Sequence, residues 1–222
     1  MAKKSAKKRV AVLISGRGSN MVALIKAAKS KNYPAQIALV ISNEPSAEGL
    51  QHARRSGIAT AIVDHRPHGK NRQAFERALH AELERHNIDL VCLAGFMRLL
   101  TPWFVGRWEG RLLNIHPALL PAFKGLDTHA RALAAGVKIH GATVHFVVPE
   151  MDSGPIVVQA AVPVAEDDTP ASLAARVIKL EHRIYPLALK LLAQGRVRIV
   201  DGRCAVGKSP VKKNTLVVPS DR

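Results

Sequence analysis

The sequence predicts an α/β protein, a single domain with a mainly parallel, twisted sheet and helices on both faces. Apolar β-branched runs alternate with segments of helical period through the first half of the chain. Those runs are continuous, as in strands buried on both faces, where a strand with one wet face would alternate. No repeat or linker divides the 222 residues, a length that suits one well-buried core.

The elements follow in order. Residues 10–15 (VAVLIS) form the first strand and run into glycines. Met21, Val22, Leu24, Ile25 and Ala28 recur at helical spacing and predict a helix over 21–29. A strand over 37–42 precedes a helix over 47–56 that Gly57 stops, and a third strand covers 60–64. A long amphipathic helix over 71–86 leads to a strand over 89–94. Then the texture changes. Residues 112–116 make a short strand ending at Pro117, and 118–128, with Pro121 and Gly125, read as a loop. Residues 143–148 alternate and 155–164 are β-rich, with Asp152-Ser153-Gly154-Pro155 turning between them. Leu173, Val177, Leu180, Ile184, Leu187 and Leu191 predict a helix over 172–192, and 198–206 a hairpin around Asp201-Gly202.

Composition narrows the function. No stretch approaches the roughly 20 apolar residues that span a bilayer. The lysine-rich start is followed by too short an apolar run, and no small-residue cleavage pattern, for a signal peptide. Cys92 and Cys204 have no neighbours at metal-ligand spacing and build no disulfide framework, so reduced thiols in a cytoplasmic protein are expected. The net charge of +16 and pI of about 10.5 raise nucleic acid as a partner. Much of the excess lies in Lys3, Lys4, Lys7, Lys8 and Arg9, and in Lys208, Lys212 and Lys213. Aromatics are few and do not alternate with basic residues as a base-stacking platform requires. The expected partners are small anionic molecules, with neither a membrane nor nucleic acid, and the protein a monomer or homodimer. The segment 1–8 is expected to be a disordered basic tail, dispensable for chemistry, that at most steers anionic substrates.

Three motifs bear on chemistry. Ser15-Gly16-Arg17-Gly18-Ser19-Asn20 lies between a strand and a helix, where glycines admit an anion to free helix amides. It lacks the third glycine of the dinucleotide fingerprint, since position 21 is Met21, and it also reads as a turn with Ser19 or Asn20 capping the helix. Residues 202–209 (GRCAVGKS) match the GxxxxGK[ST] phosphate-loop pattern letter for letter. That motif must open a helix inside an α/β domain, and residues 210–214 (PVKKN) have no helical period. The third motif is Asn114-Ile115-His116-Pro117, with Asp152 in a later turn. Residues two apart on a strand face one side. Asn114 can therefore donate to an oxyanion beside His116, which offers proton transfer, with Asp152 to orient or charge it.

Four segments, VLISGRGSN (12–20), LAGFMRLL (93–100), LLNIHPALLP (112–121) and HGATVHFV (140–147), resemble the glycinamide ribonucleotide transformylases, folate-dependent formyltransferases of purine synthesis. The resemblance covers about residues 10–194. It implies the formyltransferase fold over 9–195, leaving 196–222 as a C-terminal hairpin and basic tail. It also implies formyl transfer from 10-formyltetrahydrofolate to the amino group of 5-phosphoribosylglycinamide in de novo purine (IMP) synthesis, through a tetrahedral intermediate with no metal and no covalent enzyme intermediate. Asn114, His116 and Asp152 map onto the catalytic trio. Gly18, Ser19, Asn20 and Glu181 would bind the acceptor. Arg72, Met97, Arg98, Leu99, Leu100, Asn114, Val148, Pro149, Glu150, Met151 and Asp152 would hold the folate. Asp127 departs from certain bacterial members, which carry His there. Formyltetrahydrofolate deformylase and methionyl-tRNA formyltransferase share the trio; a non-catalytic RNA- or nucleotide-binding module would leave it unexplained.

Overall fold

The computed structural model describes residues 6–207. Seven strands, β1 (Lys8–Ile14), β2 (Ala35–Ser42), β3 (Ala59–Ile62), β4 (Leu90–Leu93), β5 (Leu112–His116), β6 (Ile139–Phe146) and β7 (Ile156–Pro163), form one sheet in the order β3-β2-β1-β4-β5-β6-β7. The first five are parallel; β6 and β7 turn antiparallel. The continuous apolar runs have the expected cause. Val10, Val12 and Ile14 of β1 enter one core cluster, and Ala11 and Leu13 enter the other, on the opposite face. Each large side chain so buried contributes about 1.5–3 kcal/mol.

Helices α1 (Ser19–Ala28), α2 (Glu48–Arg55) and α6 (Pro170–Ala193) pack on the first face. Helices α3 (Arg72–Arg85) and α4 (Pro102–Arg107) cover the second, and α5 (Thr128–Ala134) packs beside α6. A capping box starts α6: Thr169 Oγ1 accepts from Ser172 N at 3.1 Å and Ser172 Oγ from Thr169 N at 2.9 Å. Such a cap is worth about 1 kcal/mol. From α6 the buried Tyr185 hydroxyl donates to the Leu93 carbonyl at 2.8 Å, with the Leu113 carbonyl 3.2 Å away. It thereby ties the ends of β4 and β5 together beneath the site.

Three sequence expectations differ from the structure. The basic segment is not free up to residue 8: residues 1–5 lie outside those described, but Lys7 Nζ donates to the Ser30 carbonyl and Lys8 opens β1 and pairs with Asp89 at 3.6 Å. Two short helices, α4 and α5, and a 3-10 turn over Arg66–His68 were not anticipated. Strand β6 begins at Ile139, before the visible alternation, because Gly141 lets β7 approach: a Cβ there would stand 2.0 Å from the Ala160 carbonyl oxygen. The hairpin expected around Asp201-Gly202 is present: β8 (Val197–Val200) pairs antiparallel with β9 (Arg203–Val206), which lies within the described part of the GxxxxGK[ST] match. Its Lys208 and Ser209, like Lys3, Lys4, Lys212 and Lys213, lie outside the described residues. Among those described, no helix is long and apolar enough to cross a membrane.

Candidate active site

From β1 the chain winds one way to β2 and β3, then returns to place β4 on the other side of β1. This reversal opens a crevice beyond the carboxyl ends of β1 and β4, where ligands bind in open α/β sheets. An open cleft of about 960 Å³ lies there. The loops after β1, β4, β5 and β6 line it, with Glu181 entering from α6.

Asn114 and His116 leave β5 on the same side and both line the cleft. His116 is 5% exposed. Its Nε2 lies 2.9 Å from the Phe123 carbonyl, which can only accept, so Nε2 carries hydrogen. Its Nδ1 faces Asp152 Oδ2 at 3.3 Å. That distance lets the imidazole and the carboxylate share a proton. The same Oδ2 accepts the Gly125 N–H at 2.9 Å. Asp152 itself sits in left-handed backbone, φ 50°, in the turn after β6.

His145 completes the cluster, and its place comes from strand register. It stands opposite Asn114 on β6, 2% exposed. Its Nδ1 donates to the Phe146 carbonyl at 2.8 Å, which leaves Nε2 a lone pair for the Asn114 amide at 3.2 Å. Burial lowers its pKa, outweighing the Phe146 bond and the Asp152 charge. A neutral His145 therefore fixes the Asn114 amide with Nδ2 as donor, one hydrogen on His145 and the other free toward the cleft.

At the other end, Gly18 caps α1 in left-handed backbone, φ 72°, with no side-chain cap bond. Ser19 and Asn20 are already helical, so the helix-cap reading fails. The amides of the first turn have no carbonyl one turn back to bond. Asn20 Nδ2 instead donates to Glu181 Oε2 at 2.5 Å, while buried Asn20 Oδ1 has no partner. Burial raises the Glu181 carboxyl above its ordinary range, against the lowering by Asn20. Such a carboxyl destabilises the fold once ionised: nothing is lost below the unfolded value of about 4.3, and the cost grows as pH rises through the folded value. Glu181→Gln should therefore melt above the wild type at pH 8, with the gain shrinking toward pH 4. Matching melting curves at pH 8 would contradict this.

Of the residues the resemblance implies, Asn20, Met97, Arg98, Leu99, Leu100, Asn114, His116, Val148, Pro149, Met151, Asp152 and Glu181 line one cleft. Gly18 and Ser19, at the start of α1, stand between the lining residues Arg17 and Asn20 and do not themselves line the cleft. Arg72 does not line it but donates to the Leu99 carbonyl at 2.7 Å, bracing that rim. Glu150 points to solvent beside Lys124, 3.4 Å away. Sequence reasoning missed Arg17, His129 and His145 as lining residues. Asp127 also lines the cleft, in left-handed backbone.

An open α/β sheet thus brings Asn114, His116 and Asp152 together at one cleft beyond the ends of β1 and β4. A model of the formyl transferase family matches residues 8–189. The phosphoribosylglycinamide formyltransferase of Escherichia coli is 46% identical over 190 residues, 86% of this chain and 89% of that protein. The trifunctional purine biosynthetic protein adenosine-3 of Homo sapiens is 51% identical over 193 residues, 87% of this chain but 19% of that protein, so the chain spans about a fifth of this relative's length. The solved structure of glycinamide ribonucleotide transformylase 1 from Symbiobacterium toebii superposes with a TM-score of 0.88 at 44% identity, covering 91% of this chain and 95% of that one. The chain belongs to the formyl transferase family.

Proposed function

We propose that the protein transfers the formyl group of 10-formyltetrahydrofolate to the amino group of 5-phosphoribosylglycinamide, a step of de novo purine synthesis. The convergence of Asn114, His116 and Asp152 on a cleft that reaches the start of α1 carries the reading. The folate takes the broad part, walled by the 97–100 segment and the 148–152 turn. The acceptor phosphate lies on the amides at Gly18, Ser19 and Asn20, where free N–H groups and the helix dipole favour an anion. Its amino end lies toward Glu181.

The amine nitrogen attacks the formyl carbon, and the carbonyl electrons move onto oxygen. The free Nδ2 hydrogen of Asn114 meets that oxyanion, already oriented by His145. The attacking nitrogen loses one proton to the Asp152–His116 pair, and N10 gains one as its bond to carbon breaks. The proton lost and the proton gained balance, so the pair ends as it began. No covalent enzyme intermediate arises.

Two results test this. With 10-formyltetrahydrofolate as donor, 5-phosphoribosylglycinamide should be formylated with a kcat/KM at least 100-fold above the rates with water or charged methionyl-tRNA, a margin of about 2.7 kcal/mol; formate release at the same rate would mean a deformylase. Asn20→Ala removes the side-chain amide that holds the Glu181 carboxylate at the acceptor's amino end, and should raise the acceptor KM about 10-fold, the worth of a hydrogen bond to a charged group, while leaving the folate KM within about 2-fold. Equal shifts in both would contradict the assignment of the α1 end to the acceptor.

A further inference from the structure

Residues 123–127 have no regular structure, yet they supply two backbone groups to the His116–Asp152 pair. The Phe123 carbonyl accepts from His116 Nε2 at 2.9 Å, and the Gly125 N–H donates to Asp152 Oδ2 at 2.9 Å. Three of the five residues have positive φ: Phe123 at 55°, Gly125 at 83° and Asp127 at 54°. Side-chain-bearing residues adopt that conformation only where neighbours impose it. On one flank Lys124 Nζ reaches Ser153 Oγ at 2.6 Å and Glu150 Oε1 at 3.4 Å, beside the Asp152 turn. On the other stands Arg131 of α5. Its Nη1 donates to the Lys124 carbonyl at 2.6 Å and, more weakly, to the Leu126 carbonyl at 3.3 Å. Its guanidinium carbon lies 5.8 Å from the centre of the Phe123 ring, within cation–π range.

We propose that Arg131 is a positioning residue: its guanidinium sets the 123–127 loop and, through the Phe123 carbonyl and Gly125 amide, the geometry of the His116–Asp152 pair. The inference rests on the proposed formyl transfer for its kinetic part alone. Arg131 touches the two carbonyls that bracket Gly125 and the ring of the residue that holds His116. It is exposed, and exposed charged contacts contribute little to global stability. Its loss should thus be felt at the pair and hardly in the melting temperature.

The test is Arg131→Ala, with Arg131→Lys beside it. In Arg131→Ala, kcat should fall roughly 5- to 30-fold, as small displacements of catalytic groups do, while the acceptor KM stays within about 2-fold because Asn20 and Glu181 are untouched. Lysine can make one of the bonds but not the planar fork, so Arg131→Lys should fall between. Hydrogen exchange at the Gly125 amide, read without any substrate, should accelerate in Arg131→Ala. An unchanged kcat, or a lower kcat with Gly125 exchange unchanged, overturns the role assigned to Arg131. If the wild type fails to transfer formyl, the proposed function fails, and Gly125 exchange alone decides whether Arg131 holds the loop.

Discussion

Replacing His116 with alanine should lower turnover roughly 10²–10⁴-fold, the usual worth of a general acid–base group, with the far-UV spectrum unchanged. The imidazole lies between the Phe123 carbonyl and the Asp152 carboxylate, at 2.9 and 3.3 Å. Removing it breaks the proposed proton path and leaves Asp152 with the Gly125 amide as its close donor. Alanine also releases the Phe123 tether, so His116→Gln separates the two effects. Glutamine can donate to that carbonyl but cannot carry the proton, and its turnover should be nearly as low. Steady-state kinetics on both folded variants checks this; turnover within about 3-fold of wild type in either would remove His116 from the mechanism.

Gly154→Ala should cost more in stability than any substitution at the cleft surface. A Cβ on Gly154 would stand 1.8 Å from the Phe146 carbonyl oxygen and 2.9 Å from its carbon. These are backbone atoms of β6 that a rotamer change cannot move, so strand or turn must shift. Overpacking of this kind costs about 1–3 kcal/mol or more. For a domain of this size that lowers the melting temperature by roughly 2–12 °C. The turn that shifts holds Asp152, two residues earlier, so the folded fraction should also lose turnover by about 100-fold. Differential scanning fluorimetry with active-site titration separates the two losses. A variant with wild-type melting and wild-type turnover would show that the turn is not fixed by this close approach.

Much of the fold was legible because burial on both faces writes a strong pattern. Val10 to Ile14 read as a central strand since both sides of β1 face core. That Asn114 and His116 share a side of one strand was legible for a local reason, their spacing of two, whereas the resemblance supplied the trio with Asp152. The rest depended on register and distance. His145 matters because β6 pairs antiparallel with β5 so that it falls opposite Asn114, and alternation alone does not give that offset. Glu181 did leave a trace, a carboxylate between Val177 and Tyr185 on the buried stripe of α6, though only the resemblance pointed to it. Its partner Asn20 is 161 residues away. Helices α4 and α5 have six and seven residues, too few for a periodic signal. The basic start misled because charge suggested disorder, whereas Lys8 and Arg9 extend β1 and Asp89 accepts the Arg9 amide at 2.8 Å.

The central claim is direct transfer of the formyl carbon and its oxygen from N10 to the acceptor amine. It is tested most directly by a single turnover with 10-formyltetrahydrofolate labelled with ¹⁸O in the formyl group, quenched and read by mass spectrometry. Direct attack through one tetrahedral intermediate predicts that the label is retained in N-formylated 5-phosphoribosylglycinamide, with no formyl group on the protein. Label lost to water, formate released ahead of product, or a formylated protein species forming and decaying at the turnover rate would contradict it.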